Sequence, residues 1–95
     1  TLIYLGAHRD RSAFLTRQSW AILHADPFGG GYGLGWFKRE NGALWHNGSN
    51  TLWYAEALVD PSRGLASVAA ANDGRIGNVS GPVGAALLGA AQAVL

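Results

Sequence analysis

Between Tyr32 and Ala71 short apolar runs alternate with clusters of Gly, Asn, Asp and Pro, the pattern of strands joined by tight turns. Tyr32 to Lys38 is aromatic and apolar, and Ala43 to Asn47 is its partner across Arg39-Glu40-Asn41-Gly42. The Asn-Gly pair suits the positive φ angles of a tight hairpin turn, so this pairing is the firmest local expectation. Thr51 to Val59 alternates, with Leu52, Tyr54, Glu56 and Leu58 on one face and Trp53, Ala55, Ala57 and Val59 on the other, a composition that predicts cover on both faces. A turn at Asp60-Pro61-Ser62-Arg63-Gly64 leads to Leu65 through Ala71. Small residues on both sides predict a central strand on which a helix packs closely.

A period nearer 3.6 flanks these strands. Thr16 is an N-cap candidate for a short helix that puts Trp20, Leu23 and His24 near one face and ends before Pro27. Asp26-Pro27-Phe28-Gly29-Gly30-Gly31 follows as a flexible connection, because three consecutive glycines lose too much backbone entropy inside a helix or strand. After a loop at Asn72 to Asn78, Ser80 caps a final helix with Pro82 in its first turn and Val83, Leu87, Ala90, Ala91 and Val94 on an apolar stripe. At the other end, Leu2, Ile3, Tyr4 and Leu5 read as the last turns of a helix begun before Thr1, and Asp10-Arg11-Ser12 as a loop. The sum is an α+β fold: a small antiparallel sheet of about four strands, with a short N-terminal helical region and a C-terminal helix packed on it. Residues 1–95 form one unit without internal repeats.

Composition narrows the function classes. A formal net charge of +1 with 14% charged residues leaves no basic face for a nucleic acid. With no cysteine there is neither a disulfide framework nor a thiolate metal site, and the compartment stays unreadable. Gly6, His8, Arg9 and Asp10 interrupt any signal-peptide pattern. The apolar run from Val79 to Leu95 contains Ser80, Pro82 and Gln92 and, at about 17 residues, is short for a membrane span of roughly 20.

Three histidines are the chemical candidates. His8 reads as a solvated group, and His24 at a helix end is explained by the dipole there, which favours a cation. Their spacings, with that of His46, match no metal motif, so neither metal nor cofactor is expected. His46 differs because it stands in Trp45-His46-Asn47-Gly48-Ser49-Asn50-Thr51, a polar run set between strand-like residues. A strand histidine is commonly a hydrogen-bonded structural residue, but a glycine two places on brings close-approach backbone to the same face. Thr1 has the chemistry of an N-terminal nucleophile, set against the plainer reading of a chain boundary.

With Tyr32-Gly33-Leu34-Gly35-Trp36 upstream and Asp60-Pro61-Ser62-Arg63-Gly64-Leu65 downstream, ending at Asn72, the segment resembles the C-terminal part of penicillin-recognising serine hydrolases. These include class C β-lactamases, D-alanyl-D-alanine carboxypeptidases, D-aminopeptidases and esterases, often periplasmic or secreted. The resemblance covers roughly residues 15 to 75. It implies that His46-Asn47-Gly48 is the His-x-Gly form of a strand motif written Lys-Thr-Gly in other members. His46 would then face the active site and support the hydrogen bonds around the catalytic Ser and Tyr, holding a carboxylate less firmly than lysine does. Gly48 would remove bulk beside the substrate, and the Ser49 N–H would be one oxyanion-hole donor. Asn47 and Asn50 are the expected substrate contacts.

The rest of the family pattern is missing. The nucleophile motif is Ser-x-x-Lys, and the only lysine, Lys38, has Gly35 three positions before it. The Tyr-x-Asn element is absent too, since Tyr4, Tyr32 and Tyr54 are followed two residues later by Gly6, Leu34 and Glu56. No acid is arranged to orient His46 toward any of the serines. The expectation is a C-terminal portion of a β-lactamase-like hydrolase, inactive alone, whose partner is the remaining part carrying Ser-x-x-Lys, or which self-associates through an exposed sheet edge. The alternative is a non-catalytic binding module, in which four tryptophans and three tyrosines form a platform for a sugar or peptide.

Overall fold

A computed structural model describes residues 15–93. The expectations for Leu2 to Leu5, His8, Asp10 to Ser12, Thr1 and Val94 lie outside the described residues. Helix α1, Arg17–Leu23, begins where expected: Thr16 is extended (φ −68°, ψ 157°) and its Oγ1 accepts the Ser19 N–H at 3.1 Å. His24 ends it, its backbone N–H donating to the Trp20 carbonyl at 3.1 Å. Trp20 and His24 are both buried, their ring centroids 5.7 Å apart. The glycine-rich connection is pinned by Asp26, whose Oδ2 accepts the Gly31 N–H at 2.7 Å.

The expected strand Tyr32 to Lys38 is cut down to β1, Phe37–Lys38. Gly33 donates to the Trp36 carbonyl at 2.9 Å and Gly35 adopts φ +85°, so residues 33–36 form a turn, and Tyr32 touches the ladder only through an isolated bridge to Phe37. The hairpin itself is as expected, antiparallel with Phe37 opposite Trp45 and Lys38 opposite Leu44 on β2, Leu44–Ser49. Its turn differs. Only Gly42 has positive φ (+83°), the Gly42 N–H bonds the Arg39 carbonyl at 2.9 Å and Asn41 Oδ1 accepts from the Ala43 N–H at 3.1 Å. This is a type I turn followed by a left-handed glycine.

Strand β3, Tyr54–Asp60, starts three residues later than the alternation suggested, because residues 50–53 make a turn. The turn after β3 forms at the expected place, with Asp60 accepting from Ser62 Oγ at 2.6 Å and Arg63 Nε at 2.7 Å. Strand β4, Leu65–Ala71, has the predicted bounds, but the order β1-β2-β3-β4 puts it at the end of the sheet, not at its centre. The final helix, α2, Ile76–Ala93, starts well before Ser80. The Arg75 carbonyl accepts from Asn78 and Val79, so Ser80 is inside the helix and not its cap, and Pro82 is internal. Four antiparallel strands, a short helix before them and a helix packed on the sheet make an α+β fold.

The described residues fall into two compact units. One takes the chain up to Trp45 with Val59–Ala66, and its core holds Trp20, Ala43, Leu44 and Val59. The other takes His46–Leu58 with Ser67 onward, and its core holds Tyr54, Leu58, Val83, Leu87 and Ala91.

Candidate functional site

Alternation along β2 turns His46 and Gly48 to one face and Asn47 to the other. Contacts with α2 tell the two faces apart. Ser67 of β4 is buried and donates to the Leu87 carbonyl at 3.0 Å, and Gly84 lies against the buried Glu56 carboxylate, which a Cβ there would approach to 3.6 Å. Asn47 Nδ2 donates to the Tyr54 hydroxyl at 3.1 Å, which donates to Glu56 Oε1 at 2.6 Å. Asn47, Tyr54, Glu56 and Ser67 therefore lie on the side that α2 covers. His46 and Gly48 lie on the other side with Ala55, Ala57, Val68 and Ala70.

That second side is open. Trp53 is 56% exposed and Val68 64%, and Ala55 and Ala70 are exposed. Cover on both faces of β3 is thus corrected: within this unit one face is packed by α2 and the other is not. His46 is half-buried. Gly48 is exposed, its φ is outside the left-handed region, and a Cβ built there would meet nothing within 4 Å. Neither backbone geometry nor crowding by the described residues explains a glycine in this strand.

The residues after the motif brace it. Ser49 Oγ donates to the Gly74 carbonyl at 2.7 Å and accepts from the Thr51 N–H at 3.0 Å, so the hydroxyl is held in place. Asn50 Oδ1 accepts from the N–H groups of Leu52 at 3.1 Å and Trp53 at 2.8 Å, which fixes the turn and engages the side-chain oxygen locally. Thr51 has φ +75°, a strained conformation for a β-branched residue. It is held from behind, because a Cβ on Gly74 would collide with the Thr51 carbonyl. Of the five residues the motif suggested, His46 and Gly48 share a face of β2 and Ser49 follows them in the strand, while the side chains of Asn47, Ser49 and Asn50 are engaged within the fold.

Sequence reasoning passed over Tyr54, Glu56 and Gly74. Burial, then the hydrogen bond to Glu56, hold the Tyr54 hydroxyl above its usual pKa of 10. The signal available was a carboxylate two places from a tyrosine on the same face of an otherwise apolar strand. Downstream, Arg75 grips Asp73 through Nε at 2.9 Å and Nη2 at 2.6 Å, which pulls that exposed carboxyl down to about 2. Among the described residues no group of three or more His, Cys, Asp or Glu side chains is placed to hold a metal ion, and no helix is long and apolar enough to cross a membrane.

No family model, curated protein or solved structure matches this chain.

Proposed function

We propose that this chain is part of a serine hydrolase of the β-lactamase, D-Ala-D-Ala carboxypeptidase and esterase superfamily. It supplies the His-x-Gly strand and one oxyanion-hole N–H to a site whose Ser-x-x-Lys nucleophile lies on another segment. The observation that carries this reading is Gly48. A glycine inside a strand sacrifices about 0.5–1 kcal/mol relative to alanine, and it commonly marks a place where a ligand or another backbone approaches. Among the described residues nothing comes within 4 Å of a Cβ built on Gly48, and that open space suits an approaching ligand or backbone. His46 shares that face, and the braced turn at Ser49 to Thr51 holds the backbone beside it.

In an acyl transfer the nucleophile would attack from the open side of β2. The Ser49 N–H would stabilise the developing oxyanion together with a second donor from the nucleophile's own backbone, each such donor being worth about 10² to 10³ in rate. His46 would hydrogen-bond the network around the catalytic serine and orient the substrate. The chain alone lacks the covalent step.

The test assays the purified chain with a chromogenic β-lactam and a p-nitrophenyl ester, alone and with a Ser-x-x-Lys-bearing segment added in trans. Activity only in the mixture, with a serine-reactive probe attached to the added segment, is expected. Turnover by the isolated chain that the probe abolishes would overturn the composite site. In the assembled enzyme, His46→Ala should lower kcat/KM at least about tenfold, or roughly 1.4 kcal/mol, with the fold unchanged.

A specific feature favours the binding-module alternative. Tyr32, Phe37 and Trp45 stack with centroids 4.6 and 5.1 Å apart, Arg39 lies over the Trp45 ring at 5.9 Å, and Tyr32 and Phe37 are 42% and 38% exposed. A platform of this kind suits a sugar or peptide. Saturable quenching of tryptophan fluorescence by such a ligand, in the absence of any added segment, would favour it.

A further inference from the structure

A hollow lined by residues other than His46 and Gly48 is formed within the first unit. In the unit built from residues up to Trp45 and Val59–Ala66, the end of α1 and two turns surround a hollow of about 370 Å³ lined by His24, Lys38, Asn41, Leu44, Pro61 and Ser62. That volume is at the small end of ligand sites, with room for one ring or a short chain. Leu44, buried at 1% exposure, and Pro61 give it an apolar floor.

Its polar groups are mostly donors. The Lys38 ammonium forms no ion pair among the described residues; Asp60 pairs with Arg63 and Asp73 with Arg75. Asn41, which lines the hollow, uses its Oδ1 to accept from Ala43, so its amide N–H groups are the part of the side chain left to serve a ligand. The His24 imidazole, 7% exposed, is held beside Trp20 and brings a further titratable nitrogen to the wall. Ser62 donates to Asp60, and Asp60 also accepts the Arg63 side chain, so the carboxylate bonded to this lining serine is already paired. Glu40 is exposed in the hairpin turn beside Asn41 and does not line the hollow.

We propose that this hollow binds a small organic carboxylate, the Lys38 ammonium and Asn41 amide holding the charged end and Leu44 and Pro61 taking the apolar body. An ammonium and an amide donor on a wall that carries no carboxylate side chain call for an anion. The apolar floor calls for a body beyond a bare inorganic ion. The site shares no residue with His46-x-Gly48 and does not depend on the hydrolase reading.

The experiment is an amide NMR titration of the full chain with benzoate, with benzamide and inorganic phosphate as controls. Benzoate should give saturable shifts at Asn41, Gly42 and Ser62, benzamide none, and phosphate weaker ones. Lys38→Gln, at an exposed position that leaves the fold intact, should weaken benzoate binding by roughly fivefold, the order expected for one exposed charge-assisted contact, and Lys38→Arg should restore it. No saturable shift with benzoate, equal binding of benzamide, or an unchanged affinity in Lys38→Gln would each overturn the proposal. Phosphate binding as tightly as benzoate would overturn the role given to Leu44 and Pro61.

Discussion

Replacing Tyr54 with phenylalanine removes one oxygen from the interior and tests whether the buried chain from Asn47 through Tyr54 to Glu56 holds β2 against β3. Tyr54 is 1% exposed, so no water replaces the lost hydroxyl. Two hydrogen bonds disappear: a 2.6 Å donation to a carboxylate, worth about 1.5–3 kcal/mol, and a 3.1 Å acceptance from a neutral amide, worth about 1 kcal/mol. The more apolar phenyl ring offsets part of this. A net loss of about 2 kcal/mol is expected, which for a domain of this size lowers Tm by about 8–16 °C. Urea unfolding followed by tryptophan fluorescence measures it, with an unchanged slope showing that only stability moved.

The same variant carries a pH signature. The folded protein holds the Tyr54 proton above the usual value of 10, whereas the unfolded chain releases it there, so the unfolded state binds fewer protons in alkali. This contribution is complete below pH 10 and is lost as the pH rises through the folded value. Tyr54→Phe should therefore flatten the alkaline limb of the stability profile. A loss below about 0.5 kcal/mol together with an unaltered alkaline limb would refute the idea that this network holds the two strands.

Gly74→Ala should destabilise the chain by about 1–3 kcal/mol and shift the amide signals of Thr51 and Leu52, since the added methyl must displace their backbone; an unshifted spectrum would refute the close approach. Asp60, buried and held below its usual pKa of 3.8 by Ser62 first and then Arg63, stabilises the fold above that value and loses its contribution as the pH falls through the folded pKa. Asp60→Asn should accordingly flatten the acid limb of a pH series of melting temperatures, and an acid limb equal to the parent's would count against the buried contact. Amide hydrogen exchange in α2 should be faster than in β3 for the isolated chain and should slow when a complementary segment is added; equal rates in the two elements would contradict the weakness of α2 argued below.

Elements whose periodicity came from several residues were legible: Thr16 to Leu23, the hairpin pairing, and β4 with both its bounds. Errors arose where one polar side chain redirected the backbone. Asn50 turns the chain with its own side-chain oxygen, so β3 begins at Tyr54, and Gly33 to Trp36 close on themselves where apolar composition alone suggested a strand. At the candidate site the His46 and Gly48 pairing followed from a period of two. Asn47 and Asn50 did not sort the same way, because which neighbours take their amides depends on Tyr54 and on the turn, neither of which β2 itself reveals.

Helix α2 raises the largest disagreement between local preference and observed structure. It contains Gly77, Gly81, Gly84 and Gly89 together with Pro82, which is internal and denies the Asn78 carbonyl its usual partner. Relative to alanine, four glycines at about 0.8–1 kcal/mol and one proline at about 3 amount to roughly 6–7 kcal/mol against the helix. Its buried side chains are Val83, Leu87 and Ala91, and burial of the first two at about 1.5–3 kcal/mol each returns only part of that. Packing on one side thus leaves the helix near balance. Crowding by the described residues does not explain these glycines, since Gly77, Gly81 and Gly89 have none of them within 4 Å of an added Cβ, and with Ala85 they recur every four residues on an exposed side. The same reasoning applies to Gly48 on β2. At both places glycine weakens the element that carries it and no described residue requires it, which is what the composite site proposed for this chain would need: surfaces open to close approach by another backbone.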